Sequence, residues 1–343
     1  MWLKRCQTHL RHDSCSKAPR HQLAKLMHAP TNDSKPESYM KFRSLLFAVV
    51  TAVVAWVPVA QAGAITINDG SHDVTIPETP ERVVVLEFSF VDSLASIGVP
   101  AVGVADDNDP KRLPAEVRNV LGDFASVGKR AQPSIEAIAA LKPDLIIADV
   151  NRHTKMYDQL AAIAPTLLLP SRGEDYAESL ESARIVAKSV GKRDAMQARL
   201  EKHADIMASY AEKVPDGASA VFAVAREDSL SLHGPDSYDG SVLEALGLEV
   251  PDAGPDSQNF VGLEQFLSVN PQYFMVGDYR HPSIVDKWQK EPLWQMLTAV
   301  KQQHVYHVAP NAWARNRGIM AAEKIAADVA AMFDDRYQDV QSR

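Results

Sequence analysis

Cysteine is nearly absent. The 343 residues contain two, Cys6 and Cys15, both close to the amino terminus, so the body of the chain has neither a disulfide framework nor a thiolate nucleophile. No glycine-rich phosphate loop, HExxH helix or GxSxG elbow occurs, which removes the usual signatures of nucleotide, zinc-protease and serine-hydrolase chemistry. A membrane-length apolar run is missing as well. The most apolar stretch, Ser44 to Val59, is short for a span and contains Pro58. Met40-Lys41-Phe42-Arg43 precedes it and Ala60-Gln61-Ala62 follows it, so residues 40–62 read as a signal peptide with a small-residue cleavage site. Residues 1–39 stand before a complete signal, so they are expected to be a non-native extension with Met40 as the initiator. No cysteine follows the cleavage site for lipid attachment, so the product is expected free in a periplasm.

Basic charge is scarce too. The whole chain carries a formal −8, and without residues 1–62 it holds 27 Lys and Arg against 41 Asp and Glu, or −14. Such a balance argues against nucleic acid as a partner. An anionic ligand would need a local basic cluster working against the overall field.

What is present is a stretch used twice. SIEAIAALKPDLIIADVNRH (Ser134 to His153) returns 128 residues later as GLEQFLSVNPQYFMVGDYRH (Gly262 to His281). In each copy a Glu (Glu136, Glu264) opens a short amphipathic helix, a Pro (Pro143, Pro271) breaks it, an apolar run follows, and an Arg-His pair closes it. The apolar runs have the length of buried parallel strands. In α/β sheets ligands bind in the crevice beyond the carboxyl ends of the strands, so each copy is half of a site. Facing each other, the halves make a cleft with Arg152 on one side and Arg280 on the other.

The rest of the chain fits two such halves. A hairpin pattern, Ile65-Thr66-Ile67 and Val74-Thr75-Ile76, flanks Asp69-Gly70. Val83 to Leu86 begins an alternation of strand and helix signals that runs to Leu169. From Tyr176 to Val214 two helical runs meet at Gly191-Lys192. The second has charges on most of its surface and a narrow stripe of Met196, Leu200, Ile206 and Met207. The alternation restarts at Ala220 and ends in a long helix from Gly318 to Phe333. A weaker echo, Ser93 to Val99 against Val242 to Leu248, supports duplication. We therefore expect an α/β fold of two parallel-sheet lobes, residues 63–190 and 215–343, joined by one long helix within 191–214.

The chemistry-bearing pattern is the arginines placed just after predicted strands: Arg130, Arg152 and Arg172 in the first lobe, Arg226, Arg280, Arg315 and Arg317 in the second. Loops beyond strand ends converge on one crevice, and a guanidinium offers a planar fork of donors matched to carboxylate or phosphate. A polycarboxylate or phosphate is the natural guest. Glu136 and Glu264 start helices at matching places, where the helix dipole alone favours an acid; the functional reading is a pair of acidic knobs docking on a two-fold partner. Asp106-Asp107-Asn108-Asp109 has the acids of a calcium loop without its Gly and distal Glu, so a solvated turn is expected. His153 and His281 lack a second ligand at helical spacing, which leaves capping or rim roles. Trp313 and Tyr176, beside Arg315 and Arg172, either wall the cleft or belong to the core.

Several stretches, among them RVVVLEFSFVDSLA, VGVADDNDPKR, SVGKRAQPSIEAIAALKPDLIIAD, EPLWQMLTAV and NAWARNRGIMAAEKIAAD, resemble the helical-backbone (class III) periplasmic binding proteins of iron-siderophore import, and within them those that bind ferric citrate. The resemblance spans Ala64 to Phe333. It implies a monomeric, non-enzymatic protein that captures iron(III) dicitrate and delivers it to an inner-membrane ABC permease. Its anion-binding arginines fall on the seven above, with Glu87, Ser89, Tyr176 and Trp313 as further wall residues, and its docking acids on Glu136 and Glu264. Citrate would supply the iron's ligands, so no cofactor and no protein metal ligand is implied. The alternatives are another anionic ferric siderophore, haem or a corrinoid on the same fold, or a metal-dependent hydrolase; six arginine-bearing loops favour the polycarboxylate.

Overall fold

The computed structural model describes residues 63–252 and 254–340; the expected extension and signal peptide lie outside the described residues. The alternating Ile-Thr-Ile and Val-Thr-Ile runs form β1 (Ile65–Asn68) and β2 (Asp73–Ile76), paired antiparallel. Asp69 shapes the turn by accepting from the Ser71 and His72 amides at 2.8 and 2.7 Å.

The first lobe then builds one sheet. In chain order come β3 (Val83–Val85), α1 (Phe88–Ser96), β4 (Gly103–Val104), α2 (Ala115–Leu121) and β5 (Ala125–Ser126). A two-stranded antiparallel pair follows, β6 (Gly128–Lys129) and β7 (Gln132–Pro133), then α3 (Ile135–Ala140), β8 (Leu145–Asp149), α4 (Val150–His153), α5 (Tyr157–Ala161) and β9 (Thr166–Leu169). The strand order is β5-β4-β3-β8-β9, and every neighbouring pair is parallel. Helices on both faces bury β3 and β8 completely, which is why their sequences are unbroken apolar runs rather than alternating ones.

Two helices, α6 (Tyr176–Ser189) and α7 (Arg193–Ala211), separate this sheet from the next. The buried stripe of α7 is Met196, Leu200, His203 and Met207; His203 takes the place expected of Ile206, which is only partly buried. The second lobe continues with β10 (Ala220–Ala225), β11 (Leu230–His233), α8 (Tyr238–Ala245), β12 (Gln258–Val261), α9 (Leu263–Val269) and β13 (Tyr273–Asp278). After these come α10 (Ile284–Trp288), α11 (Thr298–Lys301), β14 (Val305–His307) and α12 (Ile319–Phe333).

Its sheet runs β12-β11-β10-β13-β14. The β10-β13-β14 core is parallel, as expected, but β11 and β12 are antiparallel, so this sheet is mixed. The cause is local: only Arg226 to Ser229 separates β10 from β11, and the Arg226 amide donates to the Ser229 carbonyl at 2.8 Å. A link that short makes a hairpin, since a parallel crossover needs a dozen or so residues.

The duplication is visible in backbone detail. Helices α1 and α8 both end on a glycine with positive φ, Gly98 (+69°) and Gly247 (+92°). The residues after them bond back equivalently, Val99 to the Leu94 carbonyl at 2.9 Å and Leu248 to the Leu243 carbonyl at 3.1 Å. The lobes are tied at the start of α12, where first-lobe Asp92 accepts from the amides of Met320 and Ala321, each at 3.0 Å. This close approach needs Gly318 (φ +120°), because a Cβ there would lie 2.6 Å from Asp92 Oδ1.

Candidate functional site

The loops after β3, β4, β6 and β8 place two acids among the first-lobe arginines. Glu87, the residue before α1, is 1% exposed and holds two guanidiniums. Arg130 Nη1 donates to its Oε2 at 3.3 Å, and Arg152 Nε lies 2.6 Å from Oε1, an ion pair whose angle does not make a hydrogen bond. Asp107 is the second acid. Its backbone is left-handed (φ +61°), which turns the carboxylate towards Arg130. Asp107 Oδ1 accepts from the Arg130 amide at 2.9 Å, and Oδ2 accepts from Arg130 Nε (3.1 Å), Arg130 Nη2 (2.9 Å) and Arg112 Nη1 (2.8 Å). Burial by itself raises the Asp107 carboxyl, but the hydrogen bonds from Arg130 and Arg112 outweigh it and hold the pKa down at about 2. The Arg130 guanidinium also covers the Phe88 ring, 4.0 Å from its centroid.

Beneath this layer lie side chains that fix the loops. His153 is fully buried, which excludes a rim position and leaves the capping role, at Asp149, the N-cap of α4. Its Nδ1 accepts from the Asp149 amide at 2.9 Å, so the ring proton sits on Nε2, which donates to the Arg130 carbonyl at 2.7 Å. Burial lowers the His153 pKa and favours that neutral ring. Asp149, at the carboxyl end of β8, accepts from the amides of Arg152 (2.7 Å), Ser171 (3.0 Å) and Arg172 (2.9 Å). One carboxylate thus pins both arginine-bearing loops after β8 and β9. Ser89 is buried and donates to Ser171 Oγ at 2.8 Å, which makes it a support rather than a wall.

The second lobe holds its arginines differently. Arg226, Arg280 and Arg315 line a cleft of about 560 Å³ together with Tyr279 and first-lobe Arg112. Arg315 lies over the Tyr279 ring at 4.3 Å and Arg226 at 5.4 Å, in cation–π contact. Arg226 and Arg280 are exposed. Arg315 Nη1 lies 4.0 Å from Asp107, which brings the two lobes' charges into contact, and burial lowers the Arg315 pKa. Arg317 turns towards the first lobe, where Nη1 donates to the Ser171 carbonyl at 2.9 Å. Arg172 is exposed, near enough to Arg152 to help lower its pKa after the larger effect of burial. Near Arg317 sits Glu174, buried with neither carboxyl oxygen partnered, and burial raises its pKa to about 9.

Two expected wall residues lie elsewhere. Trp313 is completely buried, packs 5.2 Å from the Phe222 ring and donates Nε1–H to Asp328 at 3.0 Å, leaving no face for a guest. The Tyr176 hydroxyl is hydrogen-bonded to His203 on α7, and its amide donates to Ser241 Oγ at 2.8 Å, so it seals the packing of α6. The solvated turn at Asp106 to Asp109 is also overturned: Asp106 is buried and Asp107 is the arginines' counter-ion. Arg112, Asp149 and Tyr279 are not singled out by the sequence, and Asp107 is marked there only as part of a solvated turn. The position of Arg112 and Tyr279 after a strand is the same signal that marks the other arginines.

Glu136 and Glu264 are exposed, each the second residue of its helix, α3 and α9. The equivalence extends inwards, since Ile138 and Phe266, two positions on, are both fully buried. His281 is exposed and pairs with Asp286 of α10 at 3.2 Å, a rim position. Among the described residues no group of three or more His, Cys, Asp or Glu has the arrangement of a metal site.

Comparison with known proteins gives matches in sequence and in structure. The family described as periplasmic binding protein matches residues 83–312. The Fe(3+) dicitrate-binding periplasmic protein FecB of Escherichia coli is 51% identical over 295 residues, covering 86% of this chain and 97% of that protein. The Fe(3+)-citrate-binding protein YfmC of Bacillus subtilis is 38% identical over 265 residues, covering 77% and 84%. Among solved structures, Staphylococcus aureus SirA complexed with staphyloferrin B superposes with a TM-score of 0.69 at 25% identity, covering 79% of this chain and 98% of that one.

Proposed function

We propose that this chain, which belongs to the periplasmic binding protein family, captures iron(III) citrate between its lobes and hands it to an inner-membrane ABC permease. It is a solute-binding protein and not an enzyme. The observation that carries the reading is the meeting of guanidiniums from both lobes at one cleft of about 560 Å³, with Arg112 on one wall and Arg226, Arg280 and Arg315 on the other. Asp109, Glu227, Asp228 and Asp278 line the cleft too, so its charge is mixed, and Arg130, Arg152, Arg172 and Arg317 are the further arginines we assign to the anion site.

Forked donors on several sides suit a guest with several carboxylates. Citrate then coordinates the iron, and the protein's part is to bind the citrate oxygens. Glu136 and Glu264, one per lobe, are the docking acids for the permease; the protein acts as a monomer in the periplasm.

Calorimetric titration of residues 63–343 with ferric citrate, metal-free citrate and a ferric catecholate tests this. We expect binding of ferric citrate, weaker binding of citrate alone and none of the catecholate. Preference for the catecholate would overturn the reading. Reversing Glu136 and Glu264 to Lys should leave the titration unchanged and abolish uptake in cells; weakened ligand binding in that variant would remove them from the docking role.

A further inference from the structure

The arginines of the cleft already have an anion among them. Asp107 is bonded through both carboxylate oxygens: Oδ1 to the Arg130 amide, Oδ2 to three guanidinium nitrogens of Arg130 and Arg112 within 3.1 Å, with Arg315 of the other lobe at 4.0 Å. These are the contacts a guest carboxylate would make. Glu87 differs: it is 1% exposed beneath Arg130 and Arg152, so it acts as a structural counter-ion. The Asp107 side chain keeps 12% of its surface open and touches guanidiniums from both lobes.

We infer that Asp107 is a specificity-determining residue, a tethered carboxylate that competes with an anionic guest for Arg112, Arg130 and Arg315. The inference rests on the cleft being an anion site, as proposed above, and adds what sets its selectivity. A guest gains only what its contacts exceed those of Asp107. An anion offering a single carboxylate or sulfate group merely exchanges one charge for another on the same donors. A guest with several carboxylates reaches Arg226 and Arg280 as well, and binds despite the competitor. Asp107 is thus a threshold that filters out small anions at the cost of some affinity for the guest.

Asp107→Asn tests this, because an amide keeps the oxygen that accepts from the Arg130 amide while removing the charge. Wild type and variant are titrated with sulfate, metal-free citrate and ferric citrate, and circular dichroism checks the fold. We expect the variant to bind sulfate and citrate about tenfold more tightly or better, with ferric citrate also tightened. Asp228→Asn, the same charge change in an exposed acid lining the cleft with Arg112 and Arg315, should give a smaller gain. Equal gains from the two variants would reduce the effect to net charge and overturn the competition. So would a folded Asp107→Asn protein that binds all three anions as wild type does, or more weakly, since Asp107 would then only position Arg130.

A measurement on the wild type covers the case of a variant that does not fold. The Asp107 carboxyl carbon is followed by NMR through an acid titration, with and without saturating citrate. A guest that takes its guanidinium partners should move its pKa upward from about 2. An unmoved value under saturation would count against the proposal. If ferric citrate fails to bind the wild type, the proposed cargo is wrong, yet the sulfate arm still reads the competition.

Discussion

The two lobes hold the same kind of side chain by opposite means. In the first lobe Arg130 and Arg152 are clamped by Glu87 and Asp107, and the Arg130 backbone is fixed from below by His153. In the second lobe Arg226 and Arg315 rest on the face of Tyr279, and Arg280 stands exposed. A carboxylate fixes the direction of a guanidinium but cancels its charge; an aromatic face leaves the charge available and the direction loose. The first wall therefore presents a set geometry, and the second supplies adaptable charge that can close on guests of differing shape.

The sharpest way to break that contrast is to remove the clamp. Glu87→Ala strands the Arg152 guanidinium and leaves Arg130 with Asp107 alone, and breaking a buried pair by removing one partner costs about 3–5 kcal/mol. Urea unfolding should show a loss of that order, whereas Tyr279→Leu should cost far less, because exposed Arg226 simply returns to water. Equal losses would mean that the walls are built alike.

Binding should divide the same way, with smaller effects. Removing one partner of a buried, hydrogen-bonded charge pair typically costs about 2–5 kcal/mol, whereas a rim charge mainly alters association rate and salt dependence. Arg130→Ala should therefore weaken ferric citrate by at least about 30-fold, and Arg226→Ala by about tenfold or less with a flatter salt dependence. Calorimetry at two ionic strengths separates them. A larger loss at Arg226 would make the second wall the primary anchor.

The sequence repeat predicts the matched framework, and the reasons it stops short of the walls are specific. Periodicity marks β8 and β13 and the helices ahead of them, because burial on both faces dictates composition locally. The copies differ at three positions of the loop, Asp149, Val150 and Asn151 against Gly277, Asp278 and Tyr279, and the first bears on the backbone: Asp149, which ties three amides in the first lobe, is matched 128 residues on by Gly277, where a Cβ would lie 3.2 Å from Pro310. Hence Arg152 is drawn inward while Arg280 remains exposed. The clamps themselves join residues 43 and 23 positions apart, Arg130 to Glu87 and to Asp107, and such pairing leaves no local pattern to read. The same holds for Trp313 and Tyr176, whose neighbours in sequence suggested a wall and whose neighbours in space are the core.

The smallest expected effect concerns protons, and here the lobes should differ in sign. First-lobe His153 has a pKa lowered by burial, so on acidification below about 6.5 the unfolded chain takes up a proton that the native ring resists, and native stability falls. Second-lobe His307 donates to Asp278 at 2.6 Å, and that bond raises its pKa. Its contribution is complete below about 6.5 and is lost as pH rises through the folded value. His153→Gln should therefore cost most at neutral pH and progressively less on acidification. His307→Gln should cost most under acid conditions and progressively less as the pH rises. The two slopes should be opposite in sign. Urea midpoints at half-unit steps from pH 5 to 8 measure both. Parallel slopes would show that one of the two rings is not held as its lobe requires: either Nδ1 of His153 is free to accept a proton, or the bond from His307 to Asp278 does not persist in solution.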